Sequence, residues 1–196
     1  MKKTAAILFV AVFALVTAGT TWAQTSSEDQ EKARQAYAEA MAVTDNHKLL
    51  EFFVGKWDVS ISMWEFPGNP PQTSKGTAEA ATILGGRFIM TKFKGTMMGV
   101  PFDAVQIDGH DNIQNKFRTL WLDSTSTAFF LLEGTYDPAS KSWTHTGRWT
   151  DPMGTVSPVR MVNRIVGPDE YISEMYMGLP DGKEFKSMEN RYVRKK

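Results

Sequence analysis

The sequence contains no cysteine and only three histidines in 196 residues. The lack of cysteine excludes a disulfide-stabilised mini-protein, a metal site with thiolate ligands, a cysteine nucleophile and a lipid anchor attached through cysteine. An excess of either charge is also missing, because 22 basic residues balance 22 acidic ones. This balance argues against a broad phosphate-binding surface, so we expect no nucleic-acid partner. The length fits a single domain with a full core.

Long apolar runs are missing as well, except at the N-terminus. Lys2 and Lys3 precede a nearly uncharged apolar stretch from Ala5 to Ala18, and Thr21-Trp22-Ala23 then supplies small residues before Gln24. This order is typical of a secretory signal peptide, here residues 1–23. A membrane anchor is the alternative, but the run is shorter than the roughly 20 residues that a transmembrane helix needs. The sequence therefore predicts a periplasmic or secreted protein without a stable membrane span after cleavage.

The region after the signal peptide begins with helical patterns. Residues 24–46 predict a helical segment, because Ser26 can cap a helix and apolar residues between Ala33 and Met41 recur at helical spacing. A second short helix is predicted to begin at Asp45 and to stop at Gly55. We expect these helices to precede the main domain, residues 47–196.

From Gly55 onward the apolar residues alternate with polar ones, as in Trp57, Val59 and Ile61. The alternating runs end in turn residues, and no segment between them is long enough for a crossover helix. The pattern therefore predicts an antiparallel up-and-down meander, and closure into a barrel would remove its two exposed edges. We predict a mainly β fold, a closed barrel of about ten strands. The predicted strands are 56–65, 74–84, 86–94, 101–109, 115–122, 127–135, 141–149, 155–166, 170–178 and 183–195.

The turns of such a meander alternate between the two ends of the barrel. One set is tight and polar: Gly85-Gly86, His110-Asp111-Asn112, Asp137-Pro138-Ala139-Ser140 and Gly167-Pro168-Asp169. The opposite set carries apolar residues: Phe66 to Pro71, Thr96 to Val100, Asp123 to Ser126, Asp151 to Gly154 and Gly178 to Pro180. Exposed apolar tips usually contact something. The asymmetry predicts one closed end and one open mouth, with Met97, Met98 and Met153 as a lid or a plug.

Gly55-Lys56-Trp57, which opens the first strand, resembles the Gly-x-Trp signature of the lipocalins and the wider calycin group. The resemblance implies that the tryptophan packs at the closed end beneath an arginine near the last strand, for which Arg191 and Arg194 are candidates. Further motifs resemble a bacterial family catalogued as domain of unknown function 1579. They are Leu84 to Phe88, Gly95 to Phe102, Trp121 to Thr127, Asp151 to Gly154 and Pro180 to Lys186.

The second resemblance extends over roughly residues 45–196. It implies a calycin-like barrel and supplies no activity, because none is established for the family and a fold does not define a function. One departure is His110, which stands where the family usually has tyrosine.

The sequence contains no Gly-x-Ser-x-Gly elbow, phosphate-binding loop or His-Glu-x-x-His motif. Three scattered histidines without cysteine make no convincing zinc cluster, so we predict no metal site and no cofactor. His145 shares the phase of Trp143 and Trp149 and is predicted to point inward. A histidine in this position is either a hydrogen-bonded core residue or a ligand contact, and haem ligation by it would rest on analogy with other small barrels.

Two carboxylates are further candidates. Asp123 continues the phase of Trp121 at the rim of the mouth, and Glu133 shares the phase of Leu131. Two inward carboxylates could act as general acid and base if burial raised one pKa. Alternatively, they could form structural ion pairs with Arg87 and Arg160.

The pattern as a whole favours a non-enzymatic carrier or sensor of a small apolar or amphipathic molecule, bound inside the barrel. We assign no catalytic residue, and the pattern does not define the oligomeric state. One alternative is an enzyme that uses Asp123 or Glu133 with His145. Another is an interaction module that docks its apolar tips on a protein or a membrane. The predicted ligand contacts are Met97, Met98, Trp121, Asp123, Ser124, Ser126, Glu133, His145 and Met153.

Overall fold

The computed structural model describes residues 26–97 and 99–196. The predicted signal peptide lies outside the described residues. The chain divides after Ala36 into two units, and the second unit, Tyr37–Lys196, contains the barrel. Within the described ranges, no helix combines the length and the apolar character that crossing a membrane requires.

Two helices precede the strands. Helix α1 runs from Ser27 to Met41, and the hydroxyl of Ser26 accepts a hydrogen bond from the backbone N–H of Asp29 at 3.1 Å. Helix α2 runs from Asp45 to Leu50 and continues into a 3-10 turn, Glu51–Phe53. The second short helix is therefore present where the sequence predicted it, and its last turn is tighter than an α-helix.

In the described part of the chain, ten antiparallel strands form a closed barrel in which sequential strands are neighbours and the first pairs with the last. This confirms the predicted fold class. The strands are β1 (Gly55–Met63), β2 (Gln72–Ile83), β3 (Phe88–Met97), β4 (Val100–Asp111), β5 (Lys116–Asp123), β6 (Phe130–Asp137), β7 (Ser142–Thr150), β8 (Val156–Gly167), β9 (Glu170–Gly178) and β10 (Glu184–Arg194).

Two strands differ from the prediction by three residues at one bound: β3 ends at Met97 instead of residue 94, and β6 begins at Phe130 instead of residue 127. The Ser126 hydroxyl accepts a hydrogen bond from the backbone N–H of Ala128 at 2.9 Å. This local bond holds the chain in a turn, so residues 127–129 are not available to the sheet.

The sequential antiparallel order brings alternate turns to the same end of the barrel. We call one end the closed end (turns 84–87, 112–115, 138–141 and 168–169) and the other the mouth end (turns 64–71, 124–129, 151–155 and 179–183, and the turn at Gly99). Helix α2 lies at the closed end. The side-chain nitrogen of Asn46 is 3.1 Å from Nε2 of His110, and the hydroxyl of Thr44 donates to Asn112 at 3.4 Å.

The closed end is sealed by a tryptophan and an arginine. Trp57 is fully buried, and its indole N–H donates to the carbonyl of Phe53 at 2.8 Å. The guanidinium of Arg194 lies 4.1 Å from the centre of the Trp57 ring and donates to the carbonyls of Val54 and Phe52 at 2.6 and 2.9 Å. Of the two candidate arginines, Arg194 therefore forms the tryptophan–arginine pair. Arg191 forms an ion pair with Glu170 instead.

The backbone conformation and the space at position 55 explain why the residue two positions before Trp57 is a glycine. Its φ is +132°, a conformation that residues with a side chain rarely adopt. A Cβ atom at this position would lie 2.6 Å from Nη1 of Arg194. The glycine therefore leaves the space in which the arginine reaches the tryptophan.

Candidate functional site

Three layers of side chains fill the barrel from the closed end to the mouth end. The closed-end layer is aromatic, and its rings pack edge to face or tilted. Phe53 lies 4.9 Å from both Trp143 and Tyr171, measured between ring centres. This layer forms a solid floor. Its members are Phe53, Trp57, Phe117, Trp143 and Tyr171.

The middle layer is polar. Residues that pair across strands point to the same face of a sheet, and the register pairs Asp108 with Thr119 and Ser173 with both Asn163 and Asn190. Asp108 and Asn163 are each 8% exposed, so this face is the interior. The members are Thr91, Gln106, Asp108, Thr119, His145, Asn163, Ser173 and Asn190.

An internal cavity lies among these polar residues. The space that the centre of a water molecule can reach is about 30 Å³, room for only a few water molecules. The cavity runs from the aromatic floor to Phe93 and Trp121 on the mouth side. It is lined by Leu50, Phe53, Thr91, Phe93, Gln106, Asp108, Trp121, Trp143, His145, Asn163, Tyr171, Ser173 and Tyr192.

Asp108 is the acidic residue of this cavity. The Thr119 hydroxyl donates to Oδ1 at 2.7 Å, and the Gln106 amide donates to Oδ2 at 2.8 Å. Burial raises the pKa of the carboxyl to about 6, although both hydrogen bonds oppose the change. The group is therefore mostly ionised at neutral pH and protonated in mild acid.

His145 points into the same cavity and is 3% exposed. Burial lowers the pKa of its imidazole to about 4, so the ring is neutral at pH 7. Among the described residues, neither its Nδ1 nor the indole nitrogen of Trp143 has a hydrogen-bond partner. Buried polar atoms normally have one. These two atoms mark a place where a bound molecule would find partners.

The mouth-side layer is rich in methionine. Met63, Met188, Met175 and Met161 are cross-strand partners on four adjacent strands, and Met161 pairs next with His145. They are only partly buried, so this half of the interior is open to solvent. Thioether side chains adapt to varied shapes. We call this layer the methionine belt: Met63, Met97, Met161, Met175, Met177 and Met188.

Trp121 and Asp123, both predicted ligand contacts, lie on the inner face of β5 and touch each other. The indole N–H of Trp121 donates to Asp123 at 2.9 Å, and Trp121 lines the cavity. Burial alone would raise the pKa of Asp123, but hydrogen bonds from Thr125 and Trp121 outweigh it and lower that pKa. Asp123 is therefore ionised at neutral pH and suited to accept hydrogen bonds at the rim.

The two predicted serines take part in turn structure at the mouth end. The backbone N–H of Asp103 donates to the Ser124 hydroxyl at 3.1 Å, and the Ser126 hydroxyl accepts the bond from Ala128 described above. Both hydroxyls therefore hold the loop between β5 and β6. Their predicted contact with a ligand stays a prediction.

Glu133 lies on the outer surface, so the prediction that it points inward is wrong. It pairs with Lys116 and lies 3.5 Å from Arg118. The neighbouring Leu132 is the inward residue, 3% exposed, whereas Leu131 is 61% exposed. β6 carries large apolar residues on both faces, so alternation alone chose the wrong face. The predicted pair of inward carboxylates, Asp123 with Glu133, is therefore not formed.

The expected partners Arg87 and Arg160 lie elsewhere. Arg87 donates to the carbonyls of Met41 and Leu84, and Arg160 pairs with Glu184. The structural ion pair of Glu133 is thus made by Lys116 and Arg118 instead of by these two arginines.

Two of the three methionines of the predicted lid lie among the described residues, and they differ in position. Met97 belongs to the methionine belt and packs against the core. Met98 lies outside the described residues. Met153, in the turn between β7 and β8, is 89% exposed, so it covers nothing in this structure. A lid made of these residues stays a prediction.

Residues 26–97 and 99–196 contain no group of three or more acidic or histidine side chains that could hold a metal ion. The sequence analysis also missed residues that do shape the cavity, above all Asp108 and Asn163. The inward position of Asp108 could have been predicted from the sequence. It shares the phase of Phe102 and Ala104 on β4, where a charged residue is unexpected.

The family model described as Protein of unknown function (DUF1579) matches residues 42–194. The chain belongs to this family. A search of the curated proteins finds no match. This DUF1579 chain is similar to several barrels of known structure. The sequence identities are low, so the similarity concerns the fold alone.

One of these barrels is Rv2717c from M. tuberculosis, with a TM-score of 0.58 and 13% identity, covering 79% of this chain and 100% of that one. The S-type phycobiliprotein lyase CPES from Guillardia theta has a TM-score of 0.51 and 12% identity, covering 82% of this chain and 97% of that one. A designed fluorescence-activating β-barrel has a TM-score of 0.42 and 14% identity, covering 78% and 100%.

Proposed function

We propose that this protein is exported and binds a small amphipathic molecule inside the barrel. One observation carries the proposal. The unpartnered Nδ1 of His145, 3% exposed, lies in a polar layer directly beside the open methionine belt. An amphipathic molecule could therefore place its polar group in the polar layer and its apolar group against the neighbouring methionine belt.

The orientation of the bound molecule follows from this order of layers. Its polar group lies against Asp108 and His145, and its apolar part extends along the methionine belt towards the mouth end. Removing partly exposed thioethers from water on binding contributes roughly 25 cal/mol for each Å² of apolar surface buried. The space of about 30 Å³ limits the deep part of the molecule to a few heavy atoms unless the belt rearranges.

Export is supported by the N-terminal sequence alone. Lys2 and Lys3, the apolar stretch Ala5–Ala18 and the small residues before Gln24 follow the order of a secretory signal peptide. The periplasmic or extracellular location is part of the proposal on this ground.

A second candidate function is an interaction module at the mouth end. Exposed apolar side chains lie in or beside the turns of this end: Phe66 is 58% exposed, Val100 59% and Met153 89%. Exposed apolar side chains that lie together often mark a surface that contacts another molecule. An enzyme that uses Asp123 together with Glu133 is less well supported, because Glu133 faces outward.

Native mass spectrometry of the gently purified protein tests the binding proposal. Met175→Asp places a charge in the methionine belt, and Met153→Asp is its matched control at an exposed position. We expect a bound small molecule in the wild type and in Met153→Asp, and its loss in Met175→Asp.

Tryptophan emission gives an independent measure, because Trp121 and Trp143 line the cavity. Adding 1-octanol should shift this emission in the wild type and not in Met175→Asp. If no preparation carries a bound molecule and 1-octanol leaves the emission unchanged, the binding proposal is wrong. Association with a protein or with vesicles that Met153→Asp abolishes would then favour the interaction module.

A further inference from the structure

The cavity lining is negatively charged, because its charged side chain is the carboxylate of Asp108. Among the described residues that line it, Asp108 is the one carboxylate, and none is lysine or arginine. The imidazole of His145 is neutral at pH 7 because burial lowers its pKa to about 4. Burial also raises the pKa values of Tyr171 and Tyr192, so both phenols are neutral. At neutral pH the lining therefore has a net negative charge.

Within the described part of the chain, no lysine or arginine lines the cavity to compensate this charge. The two hydrogen bonds that Asp108 accepts come from the neutral groups of Thr119 and Gln106. A buried carboxylate without a cation is costly in free energy. Each of its oxygens has a further lone pair that can accept another donor.

Aromatic rings line the same cavity as the carboxylate. Trp121 and Trp143 line the cavity together with Tyr171 and Tyr192, which stack with ring centres 4.2 Å apart. The faces of such rings attract cations, most strongly when water is excluded. An ammonium group placed here would gain from the rings as well as from Asp108.

A second negative charge lies nearer the rim. Asp123 lies on the inner face of β5 nearer the mouth, and its lowered pKa keeps it ionised. A cation that approaches through the mouth therefore meets a negative charge before it reaches Asp108. An anion such as a fatty-acid carboxylate would be repelled at both positions.

We infer that the molecule bound in the barrel is a small amphipathic amine, whose ammonium group pairs with Asp108 inside the aromatic walls and whose apolar part lies along the methionine belt. This inference rests on the proposed binding function. It names the ligand's charge, which that proposal leaves open.

Three probes with the same eight-carbon chain test the inference: octylamine, 1-octanol and octanoate at pH 7.5. Tryptophan emission and isothermal titration measure their affinities for the full-length protein. Octylamine should bind at least ten times more tightly than 1-octanol, and octanoate should bind most weakly. Asp108→Asn should abolish the preference for the amine, whereas Asp103→Asn, an exposed aspartate on the same strand, should preserve it.

A pH series of the wild type gives the same information if Asp108→Asn does not fold. An alkylamine stays protonated between pH 5 and pH 8, as lysine does. Since the pKa of Asp108 is about 6, octylamine affinity should fall as the pH drops below that value while 1-octanol affinity stays constant. Equal or tighter binding of 1-octanol or octanoate would overturn the amine inference and leave the binding function standing. Failure of all three probes would refute both.

Discussion

Replacing Arg194 by alanine should destabilise the barrel at its closed end. The guanidinium donates to the carbonyls of Val54 and Phe52 and lies 4.1 Å from the centre of the Trp57 ring. The side chain is 28% exposed, so most of this contact is shielded from water. The substitution removes these two hydrogen bonds and the ion pair of Nε with Asp169 at 3.1 Å, and it leaves two carbonyls without their charged donor.

The size of the effect follows from these contacts. A hydrogen bond from a charged donor contributes about 1.5–3 kcal/mol. A cation–π contact contributes about 0.5–2 kcal/mol. With a discount for partial exposure, Arg194→Ala should lower the free energy of unfolding by roughly 3–5 kcal/mol. In a chain of this length that corresponds to a fall in Tm of roughly 6–20 °C.

Arg191→Ala is the matched control, three residues away on the same strand. Arg191 pairs with Glu170 at the surface, and its side chain is 56% exposed. Surface ion pairs of this kind contribute about 0–1 kcal/mol. Urea unfolding followed by tryptophan fluorescence measures both variants. If the two substitutions cost the same, or if Arg194→Ala costs less than about 1 kcal/mol, the assigned role of Arg194 is wrong.

Three further predictions concern the closed end, the cavity and the N-terminus. Gly55→Ala should cost about 1–3 kcal/mol, because the residue has a φ of +132° and its Cβ would meet Arg194. Urea unfolding should show a smaller cost when Arg194 is already alanine. Between about pH 4 and pH 6 the folded protein binds more protons than the unfolded chain at Asp108 and fewer at His145. Stability should therefore rise with pH in Asp108→Asn and fall with pH in His145→Gln, with a flatter wild-type profile in urea unfolding. Intact mass of the exported protein should show an N-terminus at Gln24.

Each of these predictions has a result that contradicts it. An equal cost of Gly55→Ala with and without the Arg194 side chain would mean that their close approach does not matter. Parallel pH profiles of the Asp108 and His145 variants would show that the buried groups do not have the opposite pKa shifts. Retention of the uncleaved N-terminus in the cytoplasm would contradict export.

The sequence predicted the barrel well because strand alternation is a local signal. Trp57, Val59 and Ile61 are buried as their spacing indicates, and short turns between strands allow few arrangements other than sequential pairing. The resemblance to the lipocalins left two candidate partners for Trp57, Arg191 and Arg194. Choosing between Arg191 and Arg194 required the register of β1 with β10, which pairs Trp57 with Arg194.

The site was predicted less well because it depends on contacts between distant strands. Glu133 was placed on the wrong face of β6. Leu131 and Leu132 are both apolar, so alternation alone does not show which of the two points inward. The inward position of Asp108 was not predicted, because charged residues seldom face a core and the neighbouring residues suggested a turn. The methionine belt arises from the pairing of Met175 with both Met161 and Met188, a relation that the sequence does not display.

The most direct test of a binding site between the polar layer and the methionine belt is NMR of the protein with ¹³C-labelled methionine methyl groups. Octylamine is titrated into the labelled protein, and the signals are assigned by single substitutions. The signals of Met161, Met175 and Met188 should shift in parallel and saturate, while that of the exposed Met153 should stay in place. A shift of Met153 with no change in the belt, or no shift at all with octylamine and again with 1-octanol, would contradict the binding of a small molecule inside this barrel.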